Sequence, residues 1–335
     1  NTSGKNQLRI NKIMALGYLG KNYLWAASPL MKNCAQQGGM QTYNYDEAYA
    51  KKAAEAFGEL LELVESGQTQ YALVEFKYKD IYNHEKAAGA STSFSDLFYT
   101  TRQNWLQPGS VEAIFRGPSP DYNASNWNTS KVFGPKIGNL VEHDNVIHQP
   151  TANYVKLYGM ANGLPLDDPD SDFDANYPFK DRDPRFYHDI VFDGFKYVNS
   201  AISNPDLEYL RYCSLYTGGP MRAVANASRT GYFIQKLVPH TCNMYDRTYD
   251  WGGNLHCYLP YMRLADIYLM YAEACAVLNG AAGKSSNFSK TAEDAINTIR
   301  DRVGAGHVAN AYTSNSRKFM DEIRRERAVE LSFEG

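Results

Sequence analysis

Apolar residues recur at three- and four-residue steps over 10–27, where Ile10, Ile13, Met14, Gly17, Tyr18 and Leu24 share one face. The spacing predicts a helix that Ser28-Pro29 stops. Its small residues Ala15, Gly17, Gly20, Ala26 and Ala27 would let another helix approach closely. A second helix is expected from about Asp46 to Ser66, with Ala50, Ala53, Phe57, Leu60, Leu61 and Val64 in a stripe. Asn44 and Glu47 have the spacing of a capping box there, and Gly67 follows the last turn. Near the other end, Leu264, Ile267, Tyr268, Tyr271, Cys275 and Leu278 form a third stripe, ended by Asn279-Gly280. Ala292, Ala295, Ile296, Ile299 and Val303 form a fourth, between Thr291 with Asp294 and Gly304. A last helix, about Arg317 to Ser332, carries Asp321, Glu322, Arg324, Arg325, Glu326, Arg327 and Glu330. Taken alone, such a charge run is a solvated face laced with i,i+4 pairs.

In each terminal pair the helix starts lie roughly the 34-residue period of a tetratricopeptide repeat apart. Neither pair can bury its apolar face alone, so both are expected to stack into one superhelix. The stretch from about 68 to 259 is different. It is rich in Gly, Pro, Asn, Asp and aromatics, with only short segments such as Tyr232-Phe233-Ile234. The expected fold is therefore mainly α: a tetratricopeptide-like helical repeat superhelix carrying an irregular loop-rich region with a few short strands. Repeat helices over 1–67, an irregular ligand-binding region over 68–259 and C-terminal repeat helices over 260–335 would make one domain.

Composition narrows the function. A net charge of −3 without a basic stripe argues against nucleic-acid binding. No apolar run approaches the roughly 20 residues that span a bilayer. Five cysteines form no CxxC pair, and His240, Cys242, His256 and Cys257 match no familiar zinc spacing. A Cys242–Cys257 disulfide is compatible with an extracytoplasmic protein. No GxSxG elbow, HExxH, phosphate loop or dinucleotide fingerprint occurs, so no catalytic residue, metal ligand or cofactor is assigned. Asp168, Asp170, Asp172 and Asp174 alternate as calcium ligands can, but lack the glycine and distal glutamate of an EF-hand loop. A solvated acidic loop is expected, with structural calcium as the alternative.

Binding chemistry is better supported. The chain has 26 Tyr, 15 Phe and 4 Trp, and tyrosine joins a flat apolar face to a polar tip. Most should line helix seams, leaving enough for a binding surface. Sugar rings present apolar C–H faces to aromatic planes and leave hydroxyls for Asn, Asp, Arg and Gln. The stretch Pro120 to Phe133 offers Tyr122, Trp127 and Phe133 among Asn123, Asn126 and Asn128. A second stretch, Tyr245 to Asn254, offers Tyr249, Trp251 and Asn254. The alternative for either tryptophan is an anchor for its own loop.

Several segments together, in order along the chain, resemble the SusD/RagB family of outer-membrane nutrient-binding lipoproteins. They include Ile13 to Pro29 (IMALGYLGKNYLWAASP), Phe94 to Phe115 ending in an acidic residue and Ile-Phe, and Pro150 to Gly163. Asp181 to Gly194 (DRDPRFYHDIVFDG) is the most specific, and Gly231 to Lys236 follows it. Arg263 to Ala274 (RLADIYLMYAEA), Ala295 to Gly304 (AINTIRDRVG) and Ile323 to Gly335 (IRRERAVELSFEG) complete the series. The resemblance implies non-catalytic binding of an oligosaccharide at the cell surface and its delivery to a SusC-like TonB-dependent transporter. It implies an extracellular place on the outer membrane, held by an N-terminal lipid anchor outside this sequence, and no nucleic-acid partner. Peptides are the alternative ligand, as in the RagB branch, and a soluble helical-repeat scaffold for a protein partner is the reading from another class. In the DRDPRFYHDI segment, Arg182 and Arg185 are expected to grip carboxylates, with Asp181, Asp183 and Asp189 as local partners. The Arg/Glu ladder of the last helix then becomes a network tying helices together.

Overall fold

A computed structural model describes residues 9–34, 44–76, 94–101, 111–116, 133–135, 148–222, 227–238, 242–247, 255–257 and 260–334. Helix α1 (Lys12–Ala27) starts where Asn11 accepts the Met14 amide. After the short α2 (Pro29–Cys34), α3 runs over Glu47–Glu65. Its cap is Asp46, whose carboxylate accepts the Ala48 and Tyr49 amides, not the expected Asn44. Asp46 sits at the position whose side chain reaches two orphan amides; Asn44 lies two residues too early.

At the other end, α6 (Leu264–Asn279) is buried on nearly every face. A capping box of Thr291 and Asp294 opens α7 (Ala292–Val303), and Gly304 closes it with a left-handed φ of 75°. After the single turn α8 (Asn310–Thr313), α9 runs over Ser316–Glu330 behind the cap Asn315. The two ends of the chain form one frame. Leu24, Phe57, Leu60 and Leu61 share an apolar cluster with Ile267, Tyr271, Ile296, Ile299, Phe319 and Ile323. Each such buried side chain contributes about 1.5–3 kcal/mol by leaving water. Close approach of α1 to α3 depends on Gly20, where a Cβ would come within 2.4 Å of the Phe57 ring. Tyrosines line these seams as expected: Tyr268 donates to Glu65 at 2.6 Å, and Tyr271 to the Lys290 carbonyl at 2.7 Å.

The described parts of the middle are short pieces laid on that frame. Single turns α4 (Ala152–Val155) and α5 (Pro184–Asp189) join three two-stranded antiparallel ladders. Strand β1 (Tyr99–Thr101) pairs with β5 (Leu255–Cys257), β2 (Ala113–Arg116) with β6 (Pro260–Arg263), and β3 (Ile190–Val191) with β4 (Phe233–Ile234). A second apolar cluster gathers Val155, Phe186, Tyr187, Ile190, Phe192 and Val198, with Val329 of α9 as its link to the frame. A third gathers Val74, Phe94, Leu97, Phe98, Ile234 and Leu237.

Candidate ligand-binding site

Tyr122, Asn123, Asn126, Trp127 and Asn128, and likewise Tyr249, Trp251 and Asn254, lie outside the described residues. What the structure gives is the stems from which they spring. Arg116, the last residue before the 117–132 segment, is the register partner of Pro260 at the start of β6. The 248–254 segment enters β5 at Leu255, and β5 ends only three residues before Pro260. At about 3.3 Å per residue, the two stems are separated by no more than roughly 17 Å of chain. The ladders thus bring the feet of both aromatic segments to one rim. Phe133, at the far foot of the first segment, is half-buried against the third apolar cluster, its ring 5.2 Å from that of His148. It anchors that foot.

The rim is held by buried charge. Arg263 of β6 donates to Glu112 (2.7 Å), to the Glu330 carboxylate (2.6 Å) and carbonyl (2.7 Å), and twice to Glu334 (2.8 Å each). Arg302 reaches Glu112 and Glu330 as well, and the second Glu112 oxygen accepts the Val74 amide. Further along α9, Arg300 pairs with Glu322 and Glu326, and Arg325 with Glu322. Arg185 of α5 grips Asp183 with two nitrogens (3.0 and 2.7 Å) and reaches Glu326 at 2.5 Å and Glu330 at 3.1 Å. Lys236 completes the set on Glu334 and the Glu330 carbonyl. Burial would raise the Glu326 carboxyl, but Arg185 and Arg300 outweigh it and hold it at about 2. Glu330 is opposed by burial in the same way, and Arg302, Arg263 and Arg185 hold it well below the usual carboxylate range. The ladder of α9 is therefore not a solvated face: Glu322, Glu326 and Glu330, four apart, point inward, while Asp321 and Arg324 stay outside.

Arg182 corrects the expectation made for it. Its guanidinium grips no carboxylate; it donates to the carbonyls of Val155, Tyr158, Gly159 and Pro178, sealing the end of α4. Burial without an ion pair lowers its pKa to about 10. Of the three neighbouring aspartates only Asp183 serves as an arginine partner. Asp181 is exposed beside Lys180, and Asp189 accepts from Tyr158 (2.9 Å) and pairs with His188 (2.7 Å).

Ser95, His188 and Asp189 have the connectivity of a Ser-His-Asp triad, Ser95 Oγ lying 2.8 Å from His188 Nε2. All three side chains are buried to within about 1% of full coverage, under the rings of Phe76 and Phe94. A nucleophile must meet its substrate, so this relay fastens the 95–97 turn to α5 instead. Among the acidic loop residues, Asp168 accepts the Tyr312 hydroxyl at 2.5 Å and the Asp170 amide, and Asp174 accepts the Asn176 amide. Those hydrogen bonds, the Tyr312 bond first, lower the Asp168 carboxyl. Among the described residues no group of three or more His, Cys, Asp or Glu is arranged to hold a metal.

Sequence reasoning missed two features. One is a cleft of about 1450 Å³ between α2, α3, α6 and α9, lined by Leu30, Tyr45, Glu273, Met320 and Arg324. Two polar pairs line it: Tyr45 donates to Glu273 at 2.6 Å, and Arg324 to Asp321 at 2.9 Å. The other is an aromatic row beside the rim, in which Phe115 of β2 lies 5.4 Å from the ring of Tyr261 and 6.0 Å from that of Tyr18. Alternation along Pro260-Tyr261-Met262 could have flagged Tyr261 as outward-facing.

The family model for the SusD family matches residues 111–335, about two thirds of the chain. No curated protein matches. Among solved structures, a SusD-like protein from Bacteroides fragilis NCTC 9343 is 22% identical, with a TM-score of 0.60 over 99% of this chain and 54% of its own. A SusD superfamily protein from Parabacteroides distasonis ATCC 8503 is 17% identical, with a TM-score of 0.53 over 97% and 50%. A SusD-like carbohydrate binding protein from B. fragilis NCTC 9343 is 19% identical, with a TM-score of 0.50 over 96% and 56%. This chain thus spans about half the length of these structures.

Proposed function

We propose, from the premise that this chain belongs to the SusD family, that it binds an oligosaccharide at the cell surface without chemically altering it. The observation that carries this reading is the common rim: paired ladders bring the feet of two aromatic segments, the first of them Asn-rich, together over a clamped base. Trp127 is the first-choice stacking ring, with Tyr122, Tyr249 and Trp251 beside it and Asn123, Asn126, Asn128 and Asn254 as edge hydrogen-bonding groups. The irregular region of 68–259 is then the ligand-binding part of one domain. A relative described as carbohydrate binding supports the ligand class. Delivery to a SusC-like TonB-dependent transporter, from a lipid-anchored place on the outer membrane, belongs to the same proposal, since a binder without a channel captures but does not import.

Calorimetric titration of the parent and Trp127→Ala with maltohexaose, laminarihexaose, xylohexaose and mannohexaose tests the site. Loss of the ring should weaken binding by about 1–3 kcal/mol, with the melting temperature unchanged. A destabilised variant that binds normally would end the assignment. Purification of the full-length protein from native membranes should bring down a large β-barrel partner; recovery as a free monomer would count against delivery.

A further inference from the structure

A groove of about 450 Å³ runs along one side of α9, with Leu157 and Tyr312 as its far wall. That volume is in the range of small-ligand sites. Lys318, Asp321, Glu322, Arg325 and Ala328 make the near wall, because positions three and four apart on a helix share one face. Both walls are tied together. Arg325 donates to the carbonyls of Leu157 (3.3 Å) and Gly163 (2.8 Å), which fastens the chain after α4 to α9. The Tyr312 hydroxyl donates to Asp168 at 2.5 Å and so pins the ring of α8 in place. A ligand entering the groove meets side chains that are already ordered, which lowers the cost of binding.

The charges around the groove are paired, with one exception. Glu322 accepts from Arg325 at 2.9 and 2.7 Å, and Asp321 from Arg324 at 2.9 Å. Asp168 spends one oxygen on Tyr312 and the other on the Asp170 amide. Lys318 makes no ion pair among the described residues. Its ammonium stands 5.9 Å from the centre of the Tyr312 ring, a loose contact at the limit of cation–π range. The Lys318 side chain is exposed, so this cation is open to a ligand. Asp321 and Arg324 are also more than half exposed, and a guanidinium with five N–H groups still has donors to offer. The groove thus combines apolar surface from Leu157, Ala328 and Tyr312, one open cation and an exposed hydrogen-bonding edge. A neutral sugar would leave the cation unanswered, and an aliphatic acid would leave the edge unanswered. A sugar acid answers all three.

We infer that this groove is a second saccharide site, which takes the uronic acid unit of an acidic oligosaccharide. The carboxylate would lie on Lys318, the C–H face of the sugar on Tyr312 and Leu157, and its hydroxyls on Asp321 and Arg324. The inference rests on the glycan reading above and adds an acidic ligand class to it. Lys318 precedes Glu330, the residue clamped by Arg263, by twelve positions. The groove and the clamped base of the rim are therefore about 18 Å apart along α9.

Calorimetric titration of the whole chain with trigalacturonate, and with its fully methyl-esterified form, tests the groove. The parent should bind the acid more tightly than the ester, and the margin should shrink between about 50 and about 500 mM NaCl as the cation is screened. Lys318→Gln should weaken the acid by about three- to fivefold and leave the ester where it was. Because Lys318 is exposed, that variant should keep the parent's melting temperature. Ala328→Met suits a helix, fills the groove and should weaken the acid at least as much. Failure of the parent to bind the acid, equal binding of acid and ester, or acid binding that survives Lys318→Gln would overturn the groove. If the neutral hexasaccharides still lose affinity in Trp127→Ala, the glycan reading stands. A parent that retains neither trigalacturonate nor any of those hexasaccharides would overturn both.

Discussion

The seam between α3 and α6 and the seam between α9 and the irregular region join the same helical frame by opposite means. The first is apolar, with Phe57, Leu60 and Leu61 against Ile267 and Tyr271. The second is largely ionic: Arg185 and Lys236 meet Glu326, Glu330 and Glu334, and Arg263 bridges Glu112 to Glu330. The difference teaches what each joint has to do. Repeat helices present regular stripes that close-pack by shape alone. Irregular chain presents backbone carbonyls and amides that need partners, and long planar arginines satisfy them over several directions at once. A buried ion pair adds little net stability, yet breaking one is costly, so the joint specifies one arrangement and penalises others.

The comparison breaks most sharply at Arg263. Arg263→Ala leaves the Glu112, Glu330 and Glu334 carboxylates facing one another, and should cost about 3–5 kcal/mol in chemical denaturation. A loss below about 1 kcal/mol would mean that water already enters this seam.

Acid should loosen the two seams in order. The Glu326 carboxyl falls from an ordinary 4.5 to about 2 in the folded chain, so the stability it lends is full above pH 4.5 and is lost as pH drops toward 2. Glu330 shifts in the same direction. Hydrogen exchange over that window should deprotect α5, β3 and β4 before α3 and α6. Simultaneous loss would show one cooperative unit instead.

On the apolar side, Gly20→Ala drives a Cβ into the Phe57 ring and should cost about 1–3 kcal/mol. Its thermal melt should keep the acid dependence of the parent, since no charge is touched. The smallest effect belongs to Asp46→Ala, which removes the α3 cap and should lower stability by about 1 kcal/mol. Asn44→Ala, the control at the position the sequence favoured, should leave the melting temperature in place.

Stripes of period 3.6, the Thr291–Asp294 box and Gly304 are local signals, so the sequence by itself determined the helices of the frame and where most of them stop. It also determined that α9 bears its glutamates four apart, but a charge stripe reads the same whether it meets water or arginine. Only the tertiary structure decided that question, because Arg185, Arg263 and Glu112 come from positions 67 to 218 residues away from Glu330 in sequence. The same holds for Arg182: a guanidinium written between aspartates took carbonyls instead, since the end of α4 lies beneath it and the exposed Asp181 turns away. Composition likewise marked Trp127 and Trp251 as stacking rings, whereas Tyr18, Phe115 and Tyr261 belong to three stretches of chain that no local pattern links. Strand pairing brings Phe115 beside Tyr261, and the packing of α1 brings Tyr18 to Phe115. Local periodicity fixes which face of an element is apolar; which side chains finally touch depends on packing between elements far apart in the chain.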